Sequence, residues 1–207
     1  MIAAIILAAG RGARFAADER NKLLEDLGGS PLLRRAVDAA LGSRAGKTIV
    51  VTGWDHERVS AALADRSVTL VHNLDHAEGM ASTLRMGIAQ APDAQGALIL
   101  LGDMPNVSSA VLDLLIGTFE ETHAPAVVPL RGGRRGNPVL IGRALFPRIL
   151  ELRGDIGARA LLRAAPNVVE VEADGDGVIL DVDTPDDLDA LRRGERASSD
   201  PIGSEKI

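Results

Sequence analysis

No cysteine occurs in the 207 residues, which excludes disulfides, thiolate nucleophiles and zinc–thiolate centres and predicts a reducing, cytoplasmic setting. Aromatic residues make up 2% of the chain, with one Trp, three Phe and no Tyr. The core must therefore be built from Ala, Val, Leu and Ile, and the stacking platforms of single-strand nucleic-acid binders are missing. Positive charge is also in short supply: 23 Lys and Arg face 29 Asp and Glu, for a net charge of -6. Such a surface has no general attraction for nucleic acid or an anionic membrane, so any anionic ligand must be held by local positive charge. No apolar run approaches the roughly twenty residues of a membrane helix. The opening run is about eight residues long and lacks a basic flank, and it reads as a buried first strand rather than a targeting signal.

What is present is an alternation of short β-branched runs with helical stripes. Strands are expected at Ile2–Ala8, Thr48–Thr52, Val68–His72, Ala97–Leu101, Ala126–Pro129, Val139–Ile141, Val168–Glu172 and Val178–Val182. Helical spacing joins Leu33, Val37, Ala40 and Leu41, then Met80, Leu84 and Ile88, then Val111, Leu115 and Phe119. This pattern predicts a mostly parallel sheet covered on both faces, a three-layer α/β/α fold. After about residue 130 the pattern loosens into RGGRRGNP, a short strand and two short helices, which suggests an insertion or flap on the main sheet. Residues 1–193 are expected to form one domain, and the polar end RGERASSDPIGSEKI predicts a disordered tail over 194–207.

In open α/β sheets ligands bind beyond the carboxyl ends of the strands, so the loops after Ala8, Leu101 and Leu180 are the ones to inspect. The first, LAAGRGARF, places Gly10 and Gly12 beside Arg11 and Arg14, with Arg20 and Lys22 following in RNKLL. Glycines admit backbone amides to phosphate oxygens, and the cations supply matching charge. It is neither a dinucleotide fingerprint nor a Walker A loop, since the third glycine and the Gly-Lys-Ser/Thr are absent. The second, LLGDMP, ends a buried strand at Asp103, a plausible magnesium ligand. The third, DVDTPDDL, offers Thr184 as N-cap, Pro185 at the first helical position, and Asp186 and Asp187 at the positive helix end. Asp181 and Asp183 remain, and strand alternation would point both the same way, to bracket a cation with Asp103. HAEGMASTL puts Gly79, Met80 and Ser82 at a helix start, where amides and a hydroxyl can meet a base edge. Arg131, Arg134, Arg135, Asn137, Asp155 and Arg159 are suited to a large anionic acceptor. Each motif alone also has a structural explanation: a solvated loop, a capped turn, an ordinary helix N-terminus.

Taken in order, LAAGRGARF, NKLL, EGMASTL, LLGDMP, RGNPVL, GDIGARALL and DVDTPDDL closely resemble the MobA/MocA-like nucleotidyltransferases, and within them the molybdenum-cofactor cytidylyltransferases, from Ile2 to about Leu191. The resemblance implies a Rossmann-like nucleotidyltransferase fold and magnesium-dependent transfer of NMP from NTP with release of pyrophosphate. By position, Leu7, Ala8, Ala9, Gly10, Gly12, Arg14, Lys22, Gly79, Ser82 and Asp103 would bind the nucleotide. Arg14, Lys22 and Asp103 would be catalytic, and Asp103, Asp181 and Asp183 would hold magnesium. Arg135, Asn137, Asp155 and Arg159 would face the acceptor. LAAG goes with cytosine in this family, because a Cβ at Ala9 narrows the base pocket. The expected partners are CTP, a phosphorylated acceptor such as molybdenum cofactor, and a recipient molybdoenzyme, with the chain itself a monomer. Where the family commonly has Met-Gly, this chain has Phe15 and Ala16. Two other readings of the residues stand beside this one: a sugar-nucleotide glycosyltransferase using the DVD at Asp181–Asp183, and a nucleotide-binding module without transfer.

Overall fold

A computed structural model describes residues 1–12, 20–155 and 157–194. Strand β1 (Ile2–Ala8) leads through the first loop to a single 3-10 turn at Lys22–Leu24 and helix α1 (Leu32–Leu41). Strand β2 (Lys47–Thr52), helix α2 (His56–Ala61), β3 (Thr69–His72), α3 (Met80–Ala89), β4 (Gly96–Leu101) and α4 (Ser109–Thr122) continue the alternation. There follow β5 (Ala126–Arg131), β6 (Arg134–Arg135) and β7 (Val139–Gly142), then α5 (Phe146–Leu150), α6 (Arg159–Ala164), β8 (Val169–Glu172) and α7 (Pro185–Arg192).

One sheet runs in the order β3-β2-β1-β4-β7-β5-β6, with β8 also paired to β5. The β1, β2, β3 and β4 pairings are parallel, as is β5 with β8, whereas β7 lies antiparallel between β4 and β5. Helices α1 and α3 both pack on β1 and β2, while α1 also meets α4 and α3 meets α5. The sheet is thus the middle of three layers. Its centre explains the near-continuous apolar strands: Ile49, Ile5 and Ile99 stand side by side across three strands with none of their surface exposed. Burying each stabilises the fold by about 1.5–3 kcal/mol. Gly87 lets α3 lie close on this row, since a Cβ there would come within 2.4 Å of Ile5.

Two expectations are corrected. The segment after residue 130 is no flap: β7 is fully buried in the interior of the sheet, so it is part of the frame. Val178–Val182 is not a strand. A 3-10 turn covers Asp176–Val178, and the chain then threads between two loops, with the Asn137 amide donating to the Val178 carbonyl and the Val182 amide donating to the Asp103 carbonyl. Those two isolated bonds take the place of a ladder. Helix α2 was not foreseen, and Leu41, at the end of α1, is 38% exposed and stands apart from the buried stripe of Leu33, Val37 and Ala40. The start of α7 is as the sequence reads, with Thr184 and Asp187 completing a capping box behind Pro185. Residues 195–207, expected as a tail, lie outside the described residues.

Candidate active site

Register sets where the site lies. Leu7 of β1 is level with Val51 of β2 and Leu101 of β4, so the loops leaving three neighbouring strands emerge at one edge of the sheet. Between them is a cleft lined by Leu7, Ala8, Ala9 and Gly10 on its floor. On the β4 side stand Lys22, Leu23 and Asp103 with Gly12, and on the β2 side stand His76, Gly79, Met80, Thr83 and Asp155.

The β4 side is ionic. Asn21 caps the 3-10 turn by accepting from the Leu23 amide, and this turn aims Lys22 back toward the sheet. Its Nζ donates to Asp103 Oδ2 at 2.6 Å, Asp183 Oδ1 at 3.1 Å and the Val182 carbonyl at 2.9 Å. These side chains are only 12–22% exposed, so the attraction is weakly screened. Asp103, Asp181 and Asp183 each offer a carboxylate oxygen within 4.8 Å of the others, and Asp181 is buried. Three converging carboxylates form a hard-oxygen donor set that fits magnesium or manganese.

The β2 side is quieter. Gly79 precedes α3 with φ +100, and a Cβ there would lie 2.6 Å from the Gly154 carbonyl, so the loop after α5 closes directly on the helix start. Asp155 in that loop accepts from the Met80 amide at 3.2 Å, capping a helix whose own N-cap has no side chain. The Ser82 hydroxyl accepts from Asn73 Nδ2 and lies within bonding distance of the Asp75 and Gly79 carbonyls, inside the turn rather than on the cleft wall. Thr83 is the hydroxyl on the wall, its Oγ1 accepting from the buried Asn73.

Most of the expected nucleotide residues therefore converge on one cleft. Arg14 lies outside the described residues, as do Phe15 and Ala16. Arg11 lies over the Trp54 ring, 5.7 Å from its centroid, and Arg20 pairs with Glu25 on the surface. Of the three arginines of the RGGRRGNP stretch, Arg131 and Arg135 are held in ion pairs, whereas Arg134 makes none among the described residues. Arg135 pairs with Glu170, and Arg131 pairs with Asp176, whose hydrogen bond, against the opposing effect of partial burial, raises the Arg131 pKa above the ordinary arginine value. Asn137 is buried beside Val178, and its Oδ1 has no hydrogen-bond partner among the described residues. Arg159, at the start of α6, makes no ion pair among the described residues. His76 and Thr83 were missed as wall residues, although both sit inside the HAEGMASTL stretch that was singled out.

The family described as the MobA-like NTP transferase domain matches residues 4–170. The chain belongs to that family. As a MobA-like nucleotidyltransferase it is 28% identical over 144 residues, 69% of its length, to the Escherichia coli molybdenum cofactor cytidylyltransferase, covering 72% of that protein. It is 29% identical over 200 residues to the Bacillus subtilis purine catabolism protein PucB, covering 91% of this chain and 95% of that one. Among solved structures, Rv0371c of Mycobacterium tuberculosis in complex with manganese superposes with a TM-score of 0.79 at 29% identity, over 93% of this MobA-like chain and 98% of the other. The Rossmann-like nucleotidyltransferase fold expected from the sequence is thus the fold observed.

Proposed function

We propose that this chain transfers CMP from CTP to the terminal phosphate of a phosphorylated acceptor, with molybdenum cofactor as that acceptor, releasing pyrophosphate. The observation that carries the reading is the ionic end of the cleft: a lysine from the first loop set among carboxylates from the β4 and pre-α7 loops. That arrangement suits a polyphosphate handled with a divalent cation, and the Cβ that Ala9 adds to the floor suits a pyrimidine at the other end. Among relatives, the cytidylyltransferase match supports the base and the acceptor.

An acceptor phosphate oxygen, already anionic, attacks the α-phosphorus of CTP. The new P–O bond forms as the bond to the β-phosphate breaks, and its electron pair leaves with pyrophosphate. No side-chain nucleophile or base is needed, so the protein's work is alignment and charge stabilisation. Asp103, Asp181 and Asp183 would hold a magnesium ion, which when bound supplies Lewis-acid stabilisation of phosphoryl charge. Lys22, on its flexible stem, is in reach to neutralise charge on the leaving group, and the floor amides after β1 position the triphosphate. Arg14 is assigned the same task as Lys22. Asn137, with its unused Oδ1, and Arg159 are assigned to the acceptor, as is Arg135, which would have to exchange its exposed pair with Glu170 for the acceptor.

Pyrophosphate release, measured with each NTP, magnesium and molybdenum cofactor, tests this reading. CTP-dependent release is expected. Release with GTP alone overturns the base, nucleotide-sugar hydrolysis without NTP turnover indicates the glycosyltransferase reading, and CTP binding with no release for any acceptor indicates a binding module.

A further inference from the structure

We infer that Asp155 reads the amino edge of the base and is the residue that separates CTP from UTP; this rests on the nucleotide reading above. The cleft has two chemically different ends on opposite sides of β1. Lys22 and the carboxylates lie beyond β4, while His76, Thr83 and the start of α3 lie toward β2. Adjacent strands are about 4.8 Å apart, so the two ends are separated by about two strand spacings, enough to put the phosphates at one and the base at the other.

Asp155, which the resemblance placed toward the acceptor, stands beside Gly79, Met80 and Thr83 at the base end, and three constraints hold it there. Its Oδ1 accepts from the Met80 amide at 3.2 Å, the Gly154 carbonyl accepts from the Ala81 amide at 3.1 Å, and Gly79 lies against the Gly154–Asp155 backbone too closely for any Cβ. Capping uses one oxygen. Asp155 lines the cleft, and its Oδ2 makes no hydrogen bond among the described residues. An ionised carboxylate only accepts hydrogen bonds, so the group it reads must be a donor. Cytosine offers its 4-amino group to a carboxylate, whereas uracil puts a carbonyl oxygen at that position, and two acceptors repel.

Asp155→Asn separates the two roles of the side chain. The amide oxygen keeps the cap, and the amide nitrogen turns the free position from acceptor to donor. Binding of CTP and of UTP, with magnesium and no acceptor present, is measured by calorimetry beside thermal unfolding. The wild type is expected to prefer CTP, and Asp155→Asn to lower the CTP-to-UTP affinity ratio by about 10–100-fold, the range of one good base contact, with an unchanged melting temperature. A ratio unchanged within about twofold at an unchanged melting temperature overturns the inference while leaving the nucleotide site intact, as does a wild type that binds CTP and UTP equally. Asp155→Ser, which keeps a capping oxygen and deletes the free one, guards against a fold effect: it must also lower the ratio, through weaker CTP binding, or the inference fails. A wild type that binds no nucleotide fails at the earlier step.

Discussion

Replacing Lys22 by Met removes the ammonium that bridges Asp103 and Asp183 while keeping an unbranched stem of similar reach. Charge-assisted hydrogen bonds contribute about 1.5–3 kcal/mol each, and stripping one partner from a fully buried pair costs about 3–5 kcal/mol. Here the side chains are 12–22% exposed and one donor group serves both carboxylates, so the cost is set lower, at about 2 kcal/mol. For a chain of this size that is a fall in melting temperature of about 4–8 °C. The structure makes a second, opposite-signed expectation. The Lys22 ammonium already holds two of the three carboxylates that would ligate a divalent cation, so metal and lysine compete for the same oxygens. Manganese without nucleotide should therefore raise the melting temperature more in Lys22→Met than in the wild type, and titration should show tighter manganese binding by the variant. Pyrophosphate release should nonetheless fall by about 10²–10³, because the charge assigned to the leaving group is gone. An unchanged melting temperature together with unchanged manganese affinity would refute the pairing of Lys22 with the carboxylates.

Three further substitutions probe the rest of the cleft. Asp103→Asn should lower pyrophosphate release by about 10²–10³ with the fold kept, and near-wild-type turnover removes Asp103 from the site. Gly79→Ala must adopt φ +100 and push against Gly154, so it should destabilise by about 1–3 kcal/mol and weaken CTP binding, both read by thermal unfolding with and without nucleotide. Ser82→Ala deletes one acceptor for the buried Asn73, which retains Thr83, and should cost about 1 kcal/mol while CTP affinity changes by less than about threefold. A tenfold loss of affinity at unchanged stability places Ser82 on the binding wall after all.

Local signals served the fold well where the elements are local. Apolar runs marked β1, β2 and β4 because each is buried on both faces, and Thr184-Pro185 marked the start of α7 because capping is decided within four residues. The place of β7 was not legible, since a four-residue apolar run reads the same at an edge, in a flap or between β4 and β5, and only pairing across the chain distinguishes them. Val178–Val182 misled for the related reason that β-branched composition reports burial rather than a ladder. Val178 instead packs against the backbone at Gly136 and Asn137, and Val182 is held on the Asp103 carbonyl.

The site was legible as a set of loops but not as a set of contacts. Asp103 and the pair Asp181 and Asp183 were joined by strand alternation, yet the chain carrying the pair is no strand; the three converge because the Val182 amide pins that loop to the Asp103 carbonyl. Lys22 was expected among phosphates with the other cations of the first loop. In the structure it reaches carboxylates 81 and 161 residues away, a pairing that no local pattern encodes. This is a consequence of charge in a chain that is acidic overall. Carboxylates gathered for a divalent cation repel one another, so the fold needs a cation among them before any metal arrives, and a long flexible lysine supplies it without fixing the geometry. On the proposed reading, a triphosphate entering with its own divalent cation would offer each charge a new partner, the metal for the carboxylates and the phosphates for Lys22. Metal and nucleotide would thereby be coupled through one side chain, and each should raise the affinity for the other in the wild type but much less in Lys22→Met.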